Sequence, residues 1–408
     1  MIFIFVCVFF IYGKIDQYPL RWSDAFALGN NTASVIALNP MQSFFSSLSF
    51  IQAQYDAQKV KAYYGYIKEM YHLNNGNKEL DYTNKIENCN NPLIPKNVVV
   101  VICESFSYYK SSVGNNHLNT TPFFKSLTKN GILFNRCFTP HIGTARGVWS
   151  ILTNIPDVQL FKTATRNPAM VNQKLLLNNF TNNNFYFIGG SASWANIRGL
   201  LTNNIKNLQL FEGKDFNHPT EDVWGISDKN LLLEANKKLA QQTSPFTAII
   251  QTADNHRPYT IPAEDKAAFT LWNIDTKTLN ENGFASNEEL NAFRYVDFCI
   301  EQFILTAKKE KYFDETLFVF VGDHGIAGNA GTQFPNAWTE GGLTANHVPL
   351  LFYAPAYLEP KQYNFLCSQL DVMPTIAGLL HKNVFYQGLG KNILSDNFLK
   401  NDTAHNTI

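Results

Sequence analysis

The chain has 408 residues, enough for one large α/β core with a smaller unit attached. Lys+Arg and Asp+Glu both total 33, so there is no basic surplus to draw a nucleic-acid partner. Six cysteines (Cys7, Cys89, Cys103, Cys137, Cys299 and Cys367) show no CxxC spacing, which reads as isolated core thiols rather than a disulfide framework or zinc knuckle. Charged residues are only 16%, and Asn, Ser, Thr and Tyr carry the polarity, as in secreted or surface proteins.

Met1 to Tyr12 is almost wholly apolar and aromatic, about a dozen residues where a bilayer span needs roughly 20. It lacks the basic n-region and small-residue cleavage site of a signal peptide. Residues 1–13 therefore read as the end of a transmembrane helix whose beginning lies upstream, with a buried amino-terminal segment as the alternative. Lys14, Asp16 and Arg21 follow abruptly, and Tyr12 and Tyr18 suit an interfacial belt. Residues 14–95 read as juxtamembrane helices and a linker: apolar residues recur at helical spacing between Ser43 and Ala57, and Asn74 to Pro95 is the linker, with Asn clusters, a Gly and two Pro. A catalytic domain then spans 96–385, and 386–408 is a tail.

From Lys96 strands and helices alternate. Apolar strands are expected near 98–103, 132–138, 185–189, 246–251, 317–321 and 349–353. Helices are expected over 121–130, 145–154, 170–180, 225–241, 287–310 and 369–381. The alternation predicts an α/β fold: a mostly parallel central sheet with helices on both faces. Thr121-Pro122 reads as a helix start and Gly131 as its C-cap.

Leu317 to Val321 is an unbroken apolar run that delivers Asp323 and His324 at its carboxyl end, the edge where open α/β sheets bind ligands. Gly322 and Gly325 would let the backbone turn there. Taken alone, the pair reads first as a capped turn with a surface His and only second as a ligand pair. Asn97 to Cys103 is a second such strand and ends in Glu104. Thr144 and Arg146, in the segment His141 to Gly147, stand before a helix whose N-terminus favours an anion. Thr144 is an ordinary N-cap on one reading and a nucleophile on the other, since a metal would supply the alkoxide character an alcohol lacks. Glu104, Thr144, Asp323 and His324 form a hard-to-borderline donor set suited to Zn²⁺ or Mn²⁺. His256 follows another apolar run and could hold a phosphate or protonate a leaving group; His347, before a predicted strand, could act similarly. Trp194 and Arg198 could form a wall and a cationic clamp for an anionic head group, with Trp194 read equally as packing.

In order along the chain, Asn97 to Phe106, Thr121-Pro-Phe-Phe124, Thr144 before Ser150 to Pro156, Asn255-His-Arg-Pro-Tyr259, Gly322-Asp-His-Gly325 and Leu370 to Thr375 resemble the lipoteichoic acid synthase-like enzymes. These belong to the sulfatase branch of the alkaline phosphatase superfamily, and the resemblance covers about residues 96–385. It implies that Glu104, Thr144, Asp323 and His324 bind one divalent metal, Mn²⁺ or Zn²⁺ with Mg²⁺ as a further option. It also implies that Thr144 is the nucleophile and that Trp194, Arg198 and His256 contact a phosphoglycerol head group. The implied reaction takes that head group from a phospholipid at the membrane to a glycan or lipid acceptor, outside the cytoplasm. Thr144-Ala-Arg-Gly147 lacks the Cys-x-Pro-x-Arg pattern of formylglycine sulfatases, and Asn346-His-Val-Pro349 resembles phosphoethanolamine transferases. Phosphoethanolamine transfer or phosphodiester hydrolysis is therefore the alternative within enzymes, and an inactive lipid- or glycan-binding domain the alternative outside them.

Overall fold

The computed structural model describes residues 2–405 apart from 16, 29–30, 39, 49–54, 72, 74–79, 92–93, 160–161 and 332. Its strands are β1 (Thr83–Lys85), β2 (Asn97–Cys103), β3 (Gly131–Phe138), β4 (Asn184–Ile188), β5 (Leu208–Phe211), β6 (Thr247–Gln251), β7 (Thr316–Gly322), β8 (His347–Tyr353), β9 (Lys361–Tyr363), β10 (Cys367–Ser368) and β11 (Phe385–Gln387). Nine of them build one sheet in the order β10-β3-β8-β7-β2-β6-β4-β5, with β9 also pairing β3. Only β8 runs against its neighbours, so the sheet is mostly parallel as expected.

The central strands are apolar on both faces because both faces are covered. Val98, Val100 and Ile102 enter one core, and Val99, Val101 and Cys103 enter the other. Along β7, Leu317, Val319 and Val321 join the first core, and Phe318 and Phe320 the second. Each such side chain contributes roughly 1.5–3 kcal/mol of burial, so the middle of the sheet is the rigid platform of the molecule. Helices Thr144–Thr153, Ile197–Asn204 and Val372–Leu379 cover the first face, and Asp228–Ala240 and Asn287–Ala307 the second.

Some elements differ from expectation. The helix expected over 170–180 is two short 3-10 turns, Pro168–Met170 and Leu176–Asn179. Side chains break it: Asn204 Oδ1 accepts from the Gln173 N–H, Asn178 donates to the Asn204 carbonyl and Asn179 to that of Leu176, the local competition that keeps Asn out of helix interiors. Gly131 is the C-cap of the 3-10 turn Thr128–Asn130 that ends the helix Pro122–Leu127, as expected, but it is extended (φ −154°) rather than left-handed because it is also the first residue of β3.

At the amino end, Ile2–Tyr12 is helical, about 16 Å long at 1.5 Å per residue. No helix among the described residues is long and apolar enough to cross a membrane. In the segment expected as a linker, β1 pairs antiparallel with β11, and Ile86 and Cys89 are buried in the first core. In the expected tail, Ile393 and Leu394 are buried in that same core.

Candidate active site

Register places the acidic pair. Cys103 of β2 lies opposite Gly322 of β7, so the next residue on each strand, Glu104 and Asp323, leaves the sheet side by side at its carboxyl edge. The Asp323 N–H donates to the Cys103 carbonyl at 3.1 Å, carrying the ladder one step further. Gly322 and Gly325 do not turn the chain with a positive φ; it is Ser105 that adopts φ 51°.

Each side chain is held by its backbone surroundings. Asp323 is fully buried, and its Oδ1 accepts from the N–H groups of Ser105 (2.8 Å) and His324 (2.6 Å). Its Oδ2 has no hydrogen-bond partner. Glu104 receives the Ser105 hydroxyl on Oε1 at 2.7 Å and the Thr144 hydroxyl on Oε2 at 2.9 Å. Asn255 Nδ2 spans the carbonyls of Glu104 and Ser105, at 3.1 Å from each. Gly143, not Thr144, is the N-cap of the helix Thr144–Thr153. Thr144 is the first helical residue, and its hydroxyl is therefore spent on Glu104 and not on capping. His324 Nδ1 lies 2.8 Å from the Gly325 carbonyl, which fixes the proton there and leaves Nε2 facing the site. Nε2 is 3.5 Å from the Thr144 hydroxyl, 3.7 Å from Glu104 Oε1 and 3.5 Å from Asp323 Oδ2.

One ligand atom each from Glu104, Asp323 and His324 lie within 4.8 Å of one another. Burial, reinforced by the Asp323 charge, pushes the Glu104 carboxyl up to about 7. Burial works against the His324 imidazolium, but the Asp323 and Glu104 carboxylates outweigh it and its pKa is raised. Two buried carboxylates, a buried carboxylate oxygen without a donor, an imidazole nitrogen and a hydroxyl facing one point fit a divalent cation. A backbone support was not legible in the sequence: Gln369 Nε2 donates to the carbonyls of Gly322 (2.5 Å) and Asp323 (2.6 Å) from within what reads as a helix.

A pocket opens beside Thr144, lined also by Glu104, Trp194, Trp224, Thr252, His256 and Tyr18. The indole of Trp224 packs edge-on to Trp194 at 6.0 Å and against the His256 ring at 4.1 Å. The structure thus brings Trp194 and His256 to the same cavity as Thr144. It takes three expected contacts elsewhere. The Arg146 guanidinium points to Asp157 and the Gln159 carbonyl, because a buried cation needs its partners close. Arg198 pairs with Glu212 at 2.6 Å and with Asp24 at 3.6 Å. His347 is buried between the rings of Tyr108 and Phe138, with Nε2 donating to the Asn135 carbonyl at 2.7 Å.

This mostly parallel sheet, with Glu, Thr, Asp and His gathered at its carboxyl edge, has counterparts of the same fold among solved structures. A protein in the alkaline phosphatase superfamily from Vibrio parahaemolyticus superposes with a TM-score of 0.67 at 20% identity, over 83% of this chain and 79% of its own. The lipoteichoic acid synthase LtaP from Listeria monocytogenes gives 0.65 at 20% identity, over 81% of each chain.

The chain belongs to the Sulfatase family, whose model matches residues 96–382. It is 24% identical over 311 residues to lipoteichoic acid synthase 1 of Bacillus subtilis (strain 168), covering 70% of this chain and 45% of that protein. It is 23% identical over 301 residues to the lipoteichoic acid synthase-like YvgJ of the same strain, covering 70% of this chain and 47% of that one. The chain thus spans about half the length of these relatives.

Proposed function

We propose that the chain is a metal-dependent phosphotransferase that moves a phosphoglycerol-type head group from a phospholipid to a cell-envelope glycan or lipid acceptor. The observation that carries this reading is the Thr144 hydroxyl, 2.9 Å from Glu104 and 3.5 Å from His324 at the first turn of a ten-residue helix. An alcohol in that position is aimed and not merely buried. The likeness to lipoteichoic acid synthases supports the substrate class, and membership of the Sulfatase family supports phosphoryl or sulfuryl transfer more broadly.

Glu104, Thr144, Asp323 and His324 would hold one divalent ion, Mn²⁺ or Zn²⁺, with Mg²⁺ also compatible with the oxygen-rich set. Such an ion would lower the pKa of the Thr144 hydroxyl and offset charge on the phosphoryl oxygens. In the first half-reaction Thr144 Oγ forms a bond to phosphorus as the bond from phosphorus to the diacylglycerol oxygen breaks. The Thr144 proton ends, net, on the departing diacylglycerol, and His256 on the pocket wall is the residue to deliver it. In the second half the acceptor hydroxyl takes the phosphoglycerol and returns a proton to Thr144. Trp194 and Trp224 would bound the head group. The catalytic domain would work outside the cytoplasm, at the membrane that supplies the donor.

The test is mass spectrometry of Thr144 after incubation with Mn²⁺ and mixed phosphatidylglycerol and phosphatidylethanolamine. A phosphoglycerol adduct is expected. A phosphoethanolamine adduct would replace the donor, and an unmodified Thr144 in metal-loaded protein would defeat the transferase reading in favour of a binding role.

A further inference from the structure

The segment that follows the apolar helix Ile2–Tyr12 is built into the pocket wall. Its start is tied down by the Leu20 N–H, which donates to the Tyr12 carbonyl at 2.7 Å. Gln17 then donates to the Val223 carbonyl at 3.0 Å, and Arg21 to that of Ser193 at 2.7 Å, so the segment is fastened to both loops that carry the pocket's tryptophans. Asp24 completes the attachment by accepting from Ser193 Oγ at 2.8 Å and pairing with Lys14 at 3.1 Å and Arg198 at 3.6 Å. Trp22 is buried, its ring against Gly199 of the helix Ile197–Asn204. Arg198, expected to clamp a head group, is one of the groups that hold this segment in place.

Between these anchors lies Tyr18, which lines the cavity that also contains Thr144, Glu104, Trp194 and His256. The Arg21 guanidinium sits 4.8 Å from the Tyr18 ring centroid and holds one face of the ring, a geometry that orients an aromatic at little entropic cost. The pocket is therefore finished by a residue more than a hundred positions before the proposed nucleophile, a few residues after the apolar helix Ile2–Tyr12.

We propose that Tyr18 is a substrate-contacting residue that helps set specificity, packing its ring and hydroxyl against a small polyol phosphate head group opposite Thr144. The inference rests on the reading of this site as a head-group transferase. Since Tyr18 acts in binding and not at the reacting atoms, its loss should raise KM and spare kcat.

The test uses the whole chain loaded with Mn²⁺. Tryptophan fluorescence follows titration with glycerol 1-phosphate without turnover, and phosphatidylglycerol in mixed micelles gives KM and kcat. Tyr18→Ala should weaken glycerol 1-phosphate binding and raise KM by about five- to twentyfold, with kcat within about twofold. Tyr18→Phe should stay within about threefold of the parent, and Arg21→Ala, which frees the ring, should fall between the two. Wild-type affinity and KM in Tyr18→Ala would overturn the inference while leaving the transferase reading intact. A wild-type protein that holds Mn²⁺, shows no Thr144 adduct and gives no fluorescence response would overturn the transferase reading, and the inference with it.

Discussion

Gly147 and Asp323 are in backbone contact: a Cβ on Gly147 would lie 2.5 Å from the Asp323 carbonyl oxygen. The helix that presents Thr144 is thus seated directly on the strand end that presents Asp323 and His324, and one methyl group would lift it. Gly147→Ala should cost about 1–3 kcal/mol of stability as an overpacking change. Turnover should fall further than stability alone explains, by about 100-fold for each ångström of displacement of Thr144. Thermal unfolding and kcat measured on the same preparation would check this, and an unchanged kcat would show that the contact does not set the nucleophile.

Thr144→Ala should reduce turnover by on the order of 10³-fold or more, because it deletes the oxygen proposed to bond to phosphorus. Thr144→Ser keeps that oxygen and should retain a measurable fraction of activity. The protein should stay folded, since Thr144 contributes little to the two cores around the sheet. Turnover in Thr144→Ala comparable to the parent would remove Thr144 from the mechanism.

Removing divalent metal with a chelator should stop turnover and lower the melting temperature while the far-ultraviolet spectrum stays that of an α/β protein. The reason is that Glu104 and Asp323 lie at the edge of a core already built from Val98 to Cys103 and Leu317 to Val321. An ion at 100 times its dissociation constant adds about 2.7 kcal/mol, a loss this core can survive. Adding back Mn²⁺ or Zn²⁺ should restore both quantities. A melting temperature indifferent to chelator and metal would argue against an ion bound by these residues.

Gln369→Leu tests the support beneath the site. It strips the donor from two backbone carbonyls, those of Gly322 and Asp323, and an unpartnered buried acceptor costs about 1–3 kcal/mol. Because those carbonyls flank a proposed ligand, metal affinity should drop by about 10- to 100-fold, as for other groups that orient ligands. Calorimetric titration of metal into the variant would show it; parent-like affinity would mean the strand end holds its own shape.

How far the site could be read from residues depended on whether each contact was local in sequence. Val98 to Cys103 and Leu317 to Val321 announce buried strands by composition, and register then brings Glu104 and Asp323 together without further information. Thr144 was legible because a hydroxyl at a helix start has few roles. Arg146 and Arg198 were misplaced because proximity in sequence says nothing about which carboxylate claims a cation, and Asp157, Glu212 and Asp24 lie on other segments. Gln369 left no signal, and Tyr18 was read for an interfacial belt and not for a pocket wall: a glutamine in a helical pattern and a tyrosine three residues before an arginine are ordinary until the chain is folded.

His347 supplies a pH dependence independent of the proposed site residues Glu104, Thr144, Asp323 and His324. Burial holds its pKa down at about 4, against an ordinary value of 6.5, because the ring is enclosed by Tyr108, Phe138 and Trp338. The Arg136 charge works in the same direction, while the hydrogen bond to the Asn135 carbonyl opposes it. In the unfolded chain the imidazole takes a proton as pH falls below about 6.5, whereas in the folded chain it resists until about 4. The unfolded state therefore binds more protons across that window, and stability must decrease as pH decreases through it. The size is up to about 3 kcal/mol, at 1.36 kcal/mol per unit. His347→Phe keeps an aromatic ring in the stack and removes the titrating nitrogen, so it should flatten the stability profile between pH 6.5 and 4 relative to the parent while costing some stability at pH 7 through the lost Asn135 hydrogen bond. Urea unfolding at several pH values would decide it: parallel profiles for parent and variant would show that this histidine does not govern the acid sensitivity.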